Sequence, residues 1–327
     1  MSLQAPRSVV MVRPHHFTVN DVTAADNVFQ GSAAERTPAE LAEAAHAEAT
    51  ALAVALESQG VRVHLFEDDV PGRPDSVFPN NWFSTHLGGR VAIYPMCSPN
   101  RRLERRTDVI EMLKEQYRVQ DVIDYSGLEH DGLYLEGTGA MVLDHLTRIA
   151  YVARSNRADP IVLERFCTHF GFEPMAFDAF DEHGVPIYHT NVLMCIATSF
   201  ALVCLDAIRD GARRDEIVER LSETGRTVVA ISHRQMNEFA GNAFELTGRN
   251  GRLLAMSTRA HRALTAEQRD VIEASCEIVA VDIPTIELAG GSVRCMLAGV
   301  HLDHRPTAAH AVSPLTTPTN LSKGTTS

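Results

Sequence analysis

No apolar stretch of the 327-residue chain approaches the roughly 20 residues that a membrane-spanning helix needs. Its first residues show no basic segment running into an apolar one and a small-residue cleavage site. The expectation is a soluble, cytoplasmic protein with no membrane partner. A broadly basic face is missing too: the formal net charge is −12, whereas neutralising phosphates needs clustered Lys and Arg, so nucleic acid is not an expected partner. The one basic cluster, Arg101, Arg102, Arg105 and Arg106, is interrupted by Glu104 and Asp108 and reads as the opening of a solvated helix. Six cysteines, at 97, 167, 195, 204, 276 and 295, are scattered and form no CxxC pair, which points to reduced thiols and away from a zinc cluster. The pair His15-His16 and the group His301, Asp303 and His304 lack a closed ligand spacing. No metal and no cofactor is expected.

What the chain has is enough apolar material for a sizeable core, 45% hydrophobic against 22% charged residues. That material recurs in a fixed order. Ile149 to Ala153 reads as a buried strand, Ser155 to Phe170 as a helix, Phe172 to Phe177 as a strand and Ile187 to Ala197 as another. The same strand, helix, strand, strand order starts again near Ala201 and Leu253, and upstream near Val9 and Val91. The first copy carries its helix over Pro38 to Ser58, and the second over Arg101 to Tyr117. Thr37 and Thr265 stand where helix N-caps belong, and Gly60 and Gly171 where left-handed C-caps do. Five copies within one α/β domain imply a propeller-like ring with fivefold pseudosymmetry spanning residues 1–305. Residues 306–327, rich in Pro, Ser, Thr and Ala, read as a flexible tail.

The third strand of each copy holds the unusual residues: Phe78-Pro-Asn-Asn-Trp82, Leu135-Glu-Gly-Thr-Gly139, Tyr188-His-Thr-Asn-Val192, Ala240-Gly-Asn-Ala-Phe244 and Gly290-Gly-Ser-Val-Arg-Cys-Met296. If five equivalent strands surround one axis, Asn81, Glu136, His189, Asn191, Asn242 and Cys295 share a pocket. A thiol, an imidazole and a carboxylate then stand together, the set needed for nucleophilic catalysis through a covalent intermediate. A cysteine attacks only as thiolate, whose formation a protonated His189 would favour; the same ring could protonate a leaving amine and later activate water. Each residue also has a plain structural reading. Cys295 lies in an apolar run and His189 could be a satisfied core histidine, whereas Glu136 between Leu135 and Gly137 is costly to bury without a partner. Gly290 and Gly291 would allow a ligand to approach the backbone beside the thiol.

At these residues the chain resembles the pentein superfamily, which includes arginine deiminases, dimethylarginine hydrolases and glycine amidinotransferases. The resemblance covers roughly residues 8 to 304 and implies a fivefold αβ-propeller, with Glu136, His189 and Cys295 in the catalytic positions. Where arginine deiminases place two aspartates around the guanidinium, this chain has Asn81 and Asn191. A guanidinium offers only donors and wants acidic acceptors, whereas a ureido group also carries a carbonyl that an amide can match. The pattern is similar to the citrulline-hydrolase branch, often labelled simply amidinotransferase, which implies citrulline plus water giving ornithine, ammonia and carbon dioxide. In that reading Asn81, Asn191 and more weakly Asn242 bind the substrate, whose carboxylate would meet Arg13, Arg154 or Arg294; Arg13 is taken as the first candidate. Other readings are an arginine deiminase, a dimethylarginine hydrolase or a succinylarginine-type dihydrolase, then an amidinotransferase or a noncatalytic pentein binding module. Phe17 to Thr37 and His233 to Asn242 are lid candidates, and homo-oligomerisation stays open.

Overall fold

The computed structural model describes residues 4–24, 27–32 and 36–306. The tail expected over 306–327 lies outside them apart from its first residue. Among the described residues, fifteen strands and five long helices follow the repeated order. The first unit is β1 (Ser8–Pro14), α1 (Pro38–Ser58), β2 (Arg62–Asp68) and β3 (Phe83–His86). The second is β4 (Arg90–Ile93), α2 (Thr107–Gln116), β5 (Asp121–Asp124) and β6 (Met141–Asp144). The third is β7 (Ile149–Ala153), α3 (Pro160–Phe170), β8 (Glu173–Phe177) and β9 (Met194–Ile196). The fourth is β10 (Phe200–Val203), α4 (Gly211–Ser222), β11 (Thr227–Ala230) and β12 (Phe244–Thr247). The fifth is β13 (Arg252–Ser257), α5 (Ala266–Glu273), β14 (Glu277–Val281) and β15 (Ala298–Gly299).

These strands form five three-stranded sheets whose membership is shifted by one strand from the sequence repeat. The last strand of each unit pairs antiparallel with the first strand of the next, and that first strand pairs parallel with its own unit's second strand across the helix. A parallel pair needs a long crossover, which the helix supplies. The ring closes because β15 pairs with β1, Val9 opposite Gly299 and Val10 opposite Ala298. Middle strands such as β7 and β10 are buried throughout, being flanked on both edges and covered on both faces, whereas the outer strands β11 and β14 are only partly buried.

Local chemistry sets the helix ends. Thr37 caps α1 in a capping box with Glu40, and Thr265 caps α5 with Gln268. The third helix starts at Pro160 rather than near Ser155, because Asp159 accepts from the Ile161 and Val162 N–H groups and Pro160 suits the first helical turn. The helix expected from Arg101 is broken: residues 99–104 form a 3-10 turn and α2 begins at Thr107. That break corrects the reading of the basic cluster. Arg101 is only 2% exposed and turns inward, while Arg105 pairs with Glu129 and Arg106 with Asp108.

The motif segments are not strands along their whole length. Residues 79–81, 137–140, 190–193 and 293–296 each make one helical turn, and only then does the chain enter an inner strand. Turns of three or four residues are too short to show a period in the sequence. They stand before four of the five inner strands, where the ring brings them together.

Candidate active site

Glu136 precedes one of these turns and is fully buried. Its Oε1 accepts the Cys97 N–H at 3.0 Å, and its Oε2 lies 2.9 Å from His189 Nε2. Arg101 and Arg157 approach Oε2 at 3.5 and 3.6 Å. Burial pushes this carboxyl up, but Arg157, the His189 hydrogen bond and Arg101 outweigh it and hold the group well below the usual carboxylate range. Glu136 is therefore an anion.

An ionised carboxylate only accepts, so His189 donates from Nε2 and keeps an unprotonated Nδ1. Burial lowers the His189 pKa to about 4 against the opposing pull of Glu136. Burial thus favours the neutral imidazole, with Glu136 pulling the other way. Nδ1 lies against Gly139, where a Cβ would stand 2.9 Å from it and 2.2 Å from Asn81 Nδ2. Only glycine leaves room there for both side chains.

Cys295 is 3% exposed, and its Sγ lies 3.2 Å from Asn191 Nδ2 and 3.3 Å from Asn242 Nδ2. Two side-chain amide donors are thus aimed at the sulfur and fix its position. Asn242 is fixed in turn, its Oδ1 accepting the Arg294 N–H at 3.0 Å and its Nδ2 donating to the Asn191 carbonyl at 3.1 Å. Asn191 Oδ1 is buried without a partner. The glycines before Cys295 serve close packing: a Cβ on Gly290 would lie 2.3 Å from Asn27 Oδ1, and one on Gly291 2.8 Å from the Phe78 ring.

Asn81 is buried in the cluster, but its amide is spent inside the protein. Its Oδ1 accepts from Arg101 Nη2 at 2.9 Å and its Nδ2 donates to Asn80 Oδ1 at 2.9 Å. The neighbour Asn80 holds the open group, a buried Nδ2 without a partner. Asp75 is 3% exposed, with Oδ2 accepting from Asn20 at 2.7 Å and facing Arg101 at 3.4 Å, while Oδ1 has no partner. Arg101 also forks onto Glu104 at 2.9 and 3.0 Å. Asp75, Asn80 and Arg157 were not singled out from sequence, and Arg101 was read there as part of a solvated helix. Asn80 stood inside the quoted Pro-Asn-Asn segment and Glu104 three residues after Arg101, but nothing in the sequence marked Arg157.

The three arginines considered for a substrate carboxylate stand apart from the thiol. Arg13 is bound by Glu67, with Nε at 3.0 Å, and by Thr50. Arg154 pairs with Asp178 on the surface. Arg294 stacks over Phe244 and lines a small axial cavity with His145 and His301, facing away from Cys295 as strand alternation suggested. Of the lid candidates, the first crosses the cluster. Asn20 reaches Asp75 and Asn100, Asn27 reaches Ala289, and Phe29 packs on Tyr188 and Phe239. The second is a fixed element, opening with a capped helix at His233–Asn237.

The family model for eukaryotic N,N dimethylarginine dimethylhydrolase matches residues 13–302. The chain belongs to that family. The match places it in the pentein superfamily. Its fold matches solved structures of the same superfamily at low identity. The arginine dihydrolase ArgZ of the cyanobacterial ornithine–ammonia cycle shares 18% identity with a TM-score of 0.68, over 90% of this chain and 40% of that one. The N-terminal domain of ArgZ, bound to substrate, shares 17% with the same TM-score, over 90% of this chain and 98% of that domain. A dimethylarginine dimethylaminohydrolase adduct with S-methyl-L-thiocitrulline shares 13% with a TM-score of 0.58, over 89% of this chain and 98% of that one. The chain thus spans less than half of full-length ArgZ. No curated protein matches it. No described helix is long and apolar enough to cross a membrane.

Burial gives the dimethylhydrolase fold a pH dependence. Desolvation lowers the pKa of His64 and His189 to about 4 and holds those of His86 and His145 well below 6.5. Below the unfolded value, about 6.5, the unfolded chain binds protons that the folded chain refuses, so stability falls as pH drops from there towards the folded values. Each imidazole contributes about 1.4 kcal/mol per pH unit across that window. Urea melts at pH 7 and pH 5 should show a clear loss at the lower pH, and equal midpoints would contradict the neutral, buried histidines.

Proposed function

We propose that this enzyme hydrolyses the ureido group of citrulline to ornithine, ammonia and carbon dioxide. The observation that carries the reading is the pair of orphaned amide atoms, the donor Asn80 Nδ2 and the acceptor Asn191 Oδ1, buried in the cluster that holds Cys295. A ureido group presents one carbonyl and several N–H donors and can satisfy both. A guanidinium presents donors only, which leaves Asn80 unpaired at a cost of about 1–3 kcal/mol, roughly ten- to hundredfold in affinity. The charges agree. The carboxylates of Asp75, Glu104 and Glu136 already face Arg101 and Arg157, and burial pushes the Glu104 carboxyl up.

In this mechanism Cys295 Sγ attacks the ureido carbon and its proton passes to the free Nδ1 of His189. The imidazolium, held by Glu136, returns that proton to the departing ammonia. Water deprotonated by His189 then attacks the S-carbamoyl carbon, and the carbamate released breaks down to ornithine and carbon dioxide. Asn191 and Asn242 hold the sulfur, while Asn81 keeps Arg101 and Asn80 in place. The closed ring supports reading residues 1–305 as one domain, and six scattered cysteines without a CxxC pair support a reducing, cytoplasmic setting.

One observation favours a guanidino substrate such as arginine or N,N-dimethylarginine: the unpaired, buried Asp75 Oδ1, in a family named for that chemistry. Parallel assays on citrulline, arginine and N,N-dimethylarginine separate the readings. We expect ornithine and ammonia from citrulline and at least tenfold slower turnover of the two cations. Faster release of ammonia from arginine, or of dimethylamine from dimethylarginine, would sink the ureido assignment.

A further inference from the structure

The His15-His16 pair lies where β1 ends and the segment crossing the active site begins, and the reaction uses neither residue. The fold adds ligands that no sequence spacing showed. His46 projects from α1 and Glu67 from the end of β2, and one ligand atom from each of His15, His46 and Glu67 lies within 4.8 Å of the others. The two imidazole rings meet edge to face with centroids 4.8 Å apart, and His15 Nε2 is 2.8 Å from Glu67 Oε2. Glu43, one turn before His46, lines the same groove together with His16.

We infer that His15, His46 and Glu67 form a site for a divalent transition-metal ion of the zinc class. Two imidazoles and a carboxylate suit zinc, and donors about 2.0–2.2 Å from a tetrahedral ion sit roughly 3.4 Å apart, so a contraction of at most about 1.4 Å completes the site. The carboxylate is already oriented for it. Arg13 Nε donates to Glu67 Oε1 at 3.0 Å and to Oε2 at 3.1 Å, and Oε2 also faces the His15 imidazole. Hydrogen-bonded partners of this kind fix ligating carboxylates. Arg13, anchored to Thr50 at 3.1 Å, is thus a positioning residue for the metal rather than a contact for substrate. Glu43 or water supplies the fourth ligand. The ion would tie the root of the active-site strap to α1 and β2 and takes no part in the hydrolysis.

The test is a zinc titration of the chelator-stripped full chain by calorimetry, with thermal melts and a parallel cobalt titration read by absorption. We expect one ion per chain, a higher Tm with zinc, and cobalt bands of a nitrogen- and oxygen-ligated ion without a thiolate charge-transfer band. His46→Ala and His15→Ala, both at solvent-accessible positions, should keep the metal-free Tm and weaken zinc binding at least tenfold. Zinc binding that both variants leave intact would overturn the assignment, as would a thiolate band, which would place the ion on a cysteine. Absence of binding to the wild type would overturn it equally.

Discussion

Replacing Cys295 with alanine should abolish ammonia release from citrulline, lowering kcat by about 10⁴-fold or more, the scale on which removal of a covalent nucleophile acts. The sulfur is held by the side-chain amides of Asn191 and Asn242, neither of which is a nucleophile that could replace it. The substitution removes one atom from a packed site, and the variant should fold with a Tm within a few degrees of wild type. Acid quenching during turnover should show, by mass spectrometry, a covalent adduct on the peptide containing Cys295 in the wild type and none in the variant. Retained turnover in Cys295→Ala would remove the thiol from the mechanism, whatever the substrate proves to be.

The second large effect concerns the frame. Asp144 at the end of β6 and Arg226 just before β11 form a fully buried ion pair between adjacent sheets, with Nη2 2.8 Å from Oδ1 and Nη1 on Oδ2. Arg226 Nε also donates to the Ala197 carbonyl at 2.7 Å, and Asp144 accepts from Thr147 Oγ1 and the Leu146 N–H. Arg226→Met leaves a buried carboxylate without its counter-charge and should cost about 3–5 kcal/mol in a urea melt. The double variant Asp144→Asn/Arg226→Met should recover part of that loss, because the desolvated charge is gone while the turn at Leu146 and Thr147 keeps an acceptor. A loss below about 1 kcal/mol in the single variant would mean that water reaches the pair.

The fivefold order was legible because each unit carries a largely apolar strand, a helix and a second strand, and the bounds of α1 and β7 agree with it to the residue. The residues that converge were legible as well, since Glu136, His189, Asn191, Asn242 and Cys295 interrupt apolar runs at corresponding places. The partner of each inner strand was not, because apolar alternation says which face is buried and not which edge is paired. Arg101 was misread for a related reason. An arginine beside a glutamate usually lies in water, and what buries this one are Asp75 and Glu136, brought together only by the ring. The state of His189 was hidden too, because desolvation is set by everything packed around the imidazole and by no neighbour in the sequence.

The join between β1 and β15 rests on two residue pairs and lies three residues beyond Cys295. Two-residue strands are the segments most ready to open locally, at a fraction of the global free energy. Were this seam to part, the thiol would swing away from Asn191 and Asn242 while the other four sheets stayed paired. Inactivation by heat or denaturant would therefore run ahead of the loss of secondary structure, with reclosure of a single short ribbon restoring the enzyme.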